Sequence, residues 1–150
     1  KLNGKLAKRH NARFMAVQSL YSWQLNPCDY RELIQNISEQ NELDFEEDYF
    51  GELLKEVTQR RASLDSLIEP LMIDRSVDEI TPIEHAVLWV AIYELTQRID
   101  IPYRVVINEA LEINKELGTS QGYQLVNALL EKIAHQYRET ECSQIERDVK

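Results

Sequence analysis

The chain has 150 residues (17.6 kDa), of which 43% are hydrophobic and 29% charged, a composition that suits one folded domain and excludes wholesale disorder. Four glycines and four prolines are too few for an all-β fold, which turns roughly every ten residues, and the same count excludes collagen-like and low-complexity chains. The formal net charge is -9, yet residues 1–28 hold five basic side chains and no acid, so 29–150 carry 12 basic against 26 acidic residues, a net of -14. An acidic body repels nucleic acid, so any RNA or DNA contact has to be local, and the basic N-terminal end is the place for one. On charge alone, a merely solubilising N-terminus explains that end equally well.

Apolar spacing predicts six helical segments and no strand. The first runs from about Asn11, or earlier, to Leu25, with Phe14, Val17, Tyr21 and Leu25 on one stripe, and Asn26-Pro27 ends it. A short second segment spans Asp29 to about Glu39. The third starts near Asp44, carries Tyr49, Phe50, Leu53, Leu54, Val57, Leu64 and Ile68, and stops before Pro70, with Arg60-Arg61 as an alternative break. Residues 70–81 form a joint. Thr81-Pro82-Ile83-Glu84 then places Thr at the N-cap, Pro at the first helical position and Glu at the third, a capping box. The helix it opens is apolar all round from Ala86 to Tyr93 and therefore belongs at the centre of a bundle. A fifth segment runs from about Pro102 to Leu117, with Gly118 placed for a C-terminal stop, and Ser120 opens the sixth. The tail from Glu139 is polar and expected to be disordered. The expected fold class is all-α, six to seven helices in two packed three-helix subdomains. One domain covers 1–138, its halves being about 1–70 and 81–138, with 139–150 as the tail.

No catalytic constellation is legible. GxxxxGK[ST], GxGxxG and GxSxG are absent, and His10, His85 and His135 sit on separate segments. Glu131 and His135 lack the spacing and the second copy that a carboxylate-bridged metal bundle needs, and Glu109 and Glu112 read as helix-bridging and solvated acids. The expectation is a protein that is not an enzyme and holds no cofactor or metal. Cys28 and Cys142 form no CxxC pair and point to a reduced, cytoplasmic setting. The longest apolar run, 86–93, is too short to cross a bilayer, and no secretory leader is expected.

A binding surface has better support. If the first helix extends back to Lys5, then Lys5, Arg9 and Arg13 fall within about 80° of one another, beside the buried face. Arginine forks match phosphate oxygens, His10 and Asn11 add hydrogen-bonding groups, and Tyr21 and Trp23 offer area for base stacking. A soluble basic edge on an amphipathic helix accounts for the same residues.

Three blocks carry a resemblance. Residues 8–25 (Lys-Arg-His-Asn-Ala-Arg-Phe-Met-Ala-Val-Gln-Ser-Leu-Tyr-Ser-Trp-Gln-Leu), Ile83 to Leu95, and Ile101 to Glu112 followed by Leu125-Val126-Asn127-Ala128-Leu129-Leu130 together resemble the NusB family of bacterial transcription antitermination factors, over roughly 8–135. The resemblance implies an all-α, non-catalytic protein that binds boxA single-stranded RNA together with NusE, a small-subunit ribosomal protein. It implies further that the pair joins the RNA polymerase elongation complex to support ribosomal RNA transcription, and it admits a homodimer. By resemblance, Lys5, Lys8, Arg9, His10, Asn11 and Arg13 contact RNA, as do Gln121 and Gln124 in the loop at 117–125, with Asp78-Glu79 at the edge. Tyr21, Leu25 and Glu84 face NusE by the same resemblance. The chain departs from the family pattern at several positions. His10 and Asn11 stand in a run often richer in arginine, and Trp89 replaces a common arginine. Leu117, Gln121, Gln124 and Leu125 stand where Phe, Asp, Lys and Phe are frequent, which implies weak RNA binding without a partner. Two alternatives from other classes are a NusB-like N-terminal domain of a ribosomal RNA cytosine methyltransferase and a helical protein-binding adaptor without an RNA role. The end of the chain at Lys150, with no Rossmann-like half, favours the stand-alone factor over the first.

Overall fold

Seven helices account for most of the described chain, residues 4–40 and 43–149 of a computed structural model, and no strand occurs among those residues. They are α1 (Gly4–Leu25), α2 (Tyr30–Gln40), α3 (Glu47–Ile68), α4 (Pro82–Gln97), α5 (Tyr103–Leu117), α6 (Ser120–Tyr137) and α7 (Glu139–Val149). Lys1, in the basic end, and Lys150, in the tail, lie outside the described residues. The all-α reading holds. α1 does extend back past Lys5, α3 runs through Arg60-Arg61 without a break, and the joint holds two single 3-10 turns, Glu69–Leu71 and Val77–Glu79.

α4 is the axis of the molecule. Its residues from Glu84 to Leu95 are all buried, as an all-round apolar helix must be, and it packs against α1, α3, α5 and α6. α1, α2 and α3 pack on one another, as do α4, α5 and α6, and one hydrophobic core runs through both groups. Thr81 caps α4 by accepting a hydrogen bond from the Glu84 N–H, and Pro82 fills the first turn, where its missing donor costs nothing. The expected box is only half formed, because the Glu84 side chain goes elsewhere, as described below.

Two expectations need correction. α1 buries Ala12, Met15, Ala16, Val17, Leu20 and Trp23 rather than a stripe ending in Tyr21 and Leu25, which are exposed. It lies against both α3 and α4, so its buried band is wider than one stripe and centred elsewhere. The tail is also not disordered: 139–149 forms α7. Arg138, buried at the α6–α7 junction, donates to the carbonyls of Glu94, Leu95 and Arg98 at the end of α4 and to that of Ile101. Arg138 also pairs with Glu141, whose other oxygen accepts from the Tyr103 N–H at the start of α5 (2.8 Å), and Cys142 is buried. Polar closure of helix ends and the buried Cys142 hold this segment, and the partners of Arg138 and Glu141 are not visible in the sequence. Among the described residues no helix is long and apolar enough to cross a membrane, and no group of metal-ligating side chains gathers.

Candidate nucleic-acid interface

The N-terminal half of α1 presents most of the predicted cations, and Lys8, Arg9 and His10 there are already engaged by acids. Lys8 is exposed and lies 3.6 Å from Asp44. Arg9 makes two hydrogen bonds to the Glu46 carboxylate (2.7 and 2.9 Å) with its guanidinium 4.0 Å above the centre of the Tyr49 ring. His10 Nδ1 sits 2.8 Å from Glu109, and the Asn11 amide donates to the Asp44 carbonyl (2.8 Å). Lys5 is exposed one turn before Arg9.

Arg13 departs from this pattern and corrects the expected solvated stripe. It is 4% exposed, with its Nε on Glu94 (2.9 Å) and its Nη1 on Glu109 (3.0 Å). Each four-residue step along a helix advances the side chain by about 40°, so a stripe that is open at Lys5 has turned under by Arg13. Burial alone would lower the Arg13 pKa, but Glu94, Tyr49 and Glu109 together outweigh it and the guanidinium stays charged. Burial pushes the Glu94 carboxyl above the ordinary range, and the Tyr49 hydroxyl also donates to it. Arg13 therefore supports the basic face from inside and does not present itself to phosphate. Trp23, expected to stack on bases, is buried as well: its indole donates to the Cys28 carbonyl (2.9 Å) and its ring meets Trp89 edge-on.

The second predicted region lies at the turn between α5 and α6. Gln121 and Gln124 are exposed on the first turns of α6 and line a cleft of about 570 Å³ with Arg75, Glu79 and Leu125. Behind it sits Glu84, 2% exposed, accepting from the Thr119 N–H (2.8 Å) and from the Thr81 hydroxyl. Gly118 is extended (φ -104°) rather than left-handed, so its glycine is not the turn device that the sequence suggests. It is needed for space, because a Cβ there would collide with the carboxylate of Glu84 and the Asn114 amide, and one at Gly122 would collide with Glu84 again. Glu84 thus clamps the α5–α6 turn onto α4, and a buried carboxylate cannot be the partner-facing acid expected of it. Glu84→Ala should leave the Thr119 N–H without its acceptor and cost about 1–3 kcal/mol in urea unfolding, whereas Glu84→Gln, which keeps an acceptor oxygen, should cost clearly less. Equal losses for the two would show that the hydrogen bond is not what holds the turn.

Tyr21 and Leu25 are exposed one turn apart on the C-terminal half of α1, and Gln24 between them donates to the Pro82 carbonyl (2.7 Å). They therefore lie near the start of α4, toward the same end as the α5–α6 turn. The basic face lies toward the other end. Glu94, which holds Arg13, and Glu84, which holds Thr119, are ten positions apart on α4, about 15 Å along its axis. The structure therefore separates the cations of α1 from Gln121 and Gln124 instead of merging them. Two cations near the turn escaped the sequence reading: Arg75 in the cleft with the glutamines, and Lys115 in a neighbouring hollow of about 440 Å³ with Tyr123 and Gln124. Isolated basic residues in an acidic region are a faint signal, and only the fold brings them beside α6.

The NusB family model matches residues 10–135. The transcription antitermination protein NusB of Pseudoalteromonas atlantica is 44% identical over 141 residues, 93% of this chain and 99% of that protein. Its counterpart from Yersinia enterocolitica is 44% identical over 131 residues, 87% and 94% of the two chains. Among solved structures, T. maritima NusB shares the fold with a TM-score of 0.78 at 24% identity, covering 90% of this chain and 96% of that one. A crystal structure of antitermination factors NusB and NusE in complex with dsRNA matches with a TM-score of 0.77 at 22% identity, covering 85% and 96%. The family match begins at His10 in the basic half of α1, takes in α4 and the Glu84-clamped turn, and ends near the last turn of α6: the chain belongs to the NusB family of transcription antitermination proteins.

Proposed function

We propose that this chain is a non-enzymatic antitermination factor that binds boxA-type single-stranded RNA together with NusE and, in the cytoplasm, joins the RNA polymerase elongation complex. The observation that carries the reading is the 44% identity over 99% of a relative named as an antitermination protein, an end-to-end match that does not favour the methyltransferase-domain alternative. The solved complex of a NusB of the same fold with NusE and dsRNA supports it. In this reading Lys5, Lys8, Arg9, His10 and Asn11 meet RNA, and Gln121 and Gln124 meet it about 15 Å away along the molecule. Arg13 and Glu84 act from behind, holding α1 and the α5–α6 turn in place. Tyr21 and Leu25 form the NusE face; a homodimer through the same face would compete with NusE.

The test is a titration of labelled boxA RNA, with and without NusE, over a range of salt. Three phosphate contacts from Lys5, Lys8 and Arg9 predict a log–log salt slope of about -2 for the protein alone, and Lys8→Ala should flatten it by about 0.7. NusE should raise RNA affinity through added interface, and Tyr21→Ala or Leu25→Ala should remove that gain while leaving the weak stand-alone binding unchanged. Equal RNA affinity with and without NusE would overturn the cooperative reading.

A further inference from the structure

Two of the acids that cover the basic face of α1, Asp44 and Glu46, come from one short stretch between α2 and α3, whereas Glu109, against His10, comes from α5. Glu46 takes both arms of the Arg9 fork, and its backbone N–H donates to the Lys8 carbonyl (3.1 Å), which fixes it over the helix. Two residues earlier, Asp44 takes the Lys8 ammonium with its carboxylate and the Asn11 amide with its carbonyl. Three of the side chains assigned to RNA are thus held by 44–46. A carboxylate and a phosphate offer an arginine fork the same paired oxygens, so Glu46 occupies the place that a phosphate would take. The pair is also open to exchange. The Arg9 and Glu46 side chains are 26% and 33% exposed, whereas the Arg13–Glu94 pair is 5% and 1% exposed and closed to any ligand. The hydrogen bond from Arg9 holds the Glu46 carboxyl below the usual carboxylate range, so it is ionised throughout the physiological range.

We propose that Glu46, assisted by Asp44, is an intramolecular stand-in for phosphate that RNA must displace from Arg9 to bind. The Tyr49 ring beneath Arg9 stays in place during the exchange, so the guanidinium keeps its pose and changes only its partner. The effect is to tax every nucleic acid that offers charge alone. An RNA that also engages Gln121, Gln124 and a bound partner protein recovers the loss, so the competitor selects against non-specific binding. This inference rests on the reading of α1 as the RNA-binding face.

The experiment uses the full chain without NusE, a labelled boxA single strand and an unrelated single strand of equal length. Glu46→Gln should bind both RNAs about three- to tenfold more tightly than the unsubstituted protein. Asp44→Asn should give a smaller gain in the same direction. Glu47→Gln, which removes an equal charge from the exposed neighbouring position, should give less than either. In an Arg9→Ala background Glu46→Gln should have no effect, and thermal melts should show every variant folded. Unchanged or weaker RNA binding by Glu46→Gln, while the unsubstituted protein binds with its expected salt slope, would overturn the competitor role and leave the RNA reading intact. A gain that persists without Arg9, or that Glu47→Gln matches, would overturn it too, since the cause would be net charge. Failure of every variant to bind either RNA would remove the RNA reading and this inference with it.

Discussion

Arg13→Ala is expected to lower the unfolding free energy by about 3–5 kcal/mol, because it strands the Glu94 carboxylate, 1% exposed, without its countercharge. For a chain of this size each kcal/mol moves the melting temperature by about 2–4 °C, so the loss should be visible in any thermal scan. The defect should also depend on pH. Burial holds the Glu94 carboxyl above its ordinary range in the folded chain, and removing Arg13 takes away the attraction that restrains it. A carboxyl raised in the folded state binds its proton more tightly there than in the unfolded chain. Its contribution is therefore full below the unfolded value and is lost as the pH rises through the folded one. The gap between the variant and the unsubstituted protein should accordingly be narrower near about pH 4.5 than at neutral pH. Adding Glu94→Gln should recover part of the stability at neutral pH. Urea melts at both pH values decide the matter: a variant as stable as the parent would show that Arg13 is a surface cation after all.

Trp89→Ala should be comparably severe, about 3–5 kcal/mol. Trp89 is fully buried at the centre of α4, with its indole N–H on Asp65 (2.8 Å), its ring against His85 and its edge toward Trp23. Truncation opens a cavity between α1, α3 and α4 and takes one donor from Asp65. Burial alone would raise the Asp65 pKa; the hydrogen bonds from His85 and Trp89 outweigh it and hold the carboxyl low. Trp89→Phe keeps most of the volume and loses the hydrogen bond, so it should retain a larger part of the stability. Denaturant unfolding followed by circular dichroism separates the two. A melting temperature for Trp89→Ala within a degree of the parent would show that this side chain is not part of the core.

The all-α architecture, the order of the first six helices and the central place of α4 follow from local rules that a linear chain displays. Apolar residues at helical spacing mark the faces, Asn26-Pro27 ends α1, and Thr81-Pro82 opens α4 at the expected residue. Family membership is equally legible, since it is carried by blocks of contiguous residues. α7 was not legible, because Arg138 and Glu141 fasten it through hydrogen bonds to the ends of α4 and α5, partners that are not visible in the sequence.

The candidate site divides along the same line. Charge along α1 marks Lys5, Lys8 and Arg9 as a basic face, and Tyr21 and Leu25 are exposed on the same helix. Arg13, Trp23 and Glu84 carry the same chemistry in the sequence but point inward. Their direction is set by which helices close over α1 and α4, and no spacing along one helix contains that information. Glu46 shows the converse: an unremarkable acid in a connection becomes the partner of Arg9 only when α3 packs on α1. Whether a charged side chain binds a ligand or holds the fold depends on the dielectric and the countercharges around it. Both are created by residues distant in the chain, and both exist only once it has folded.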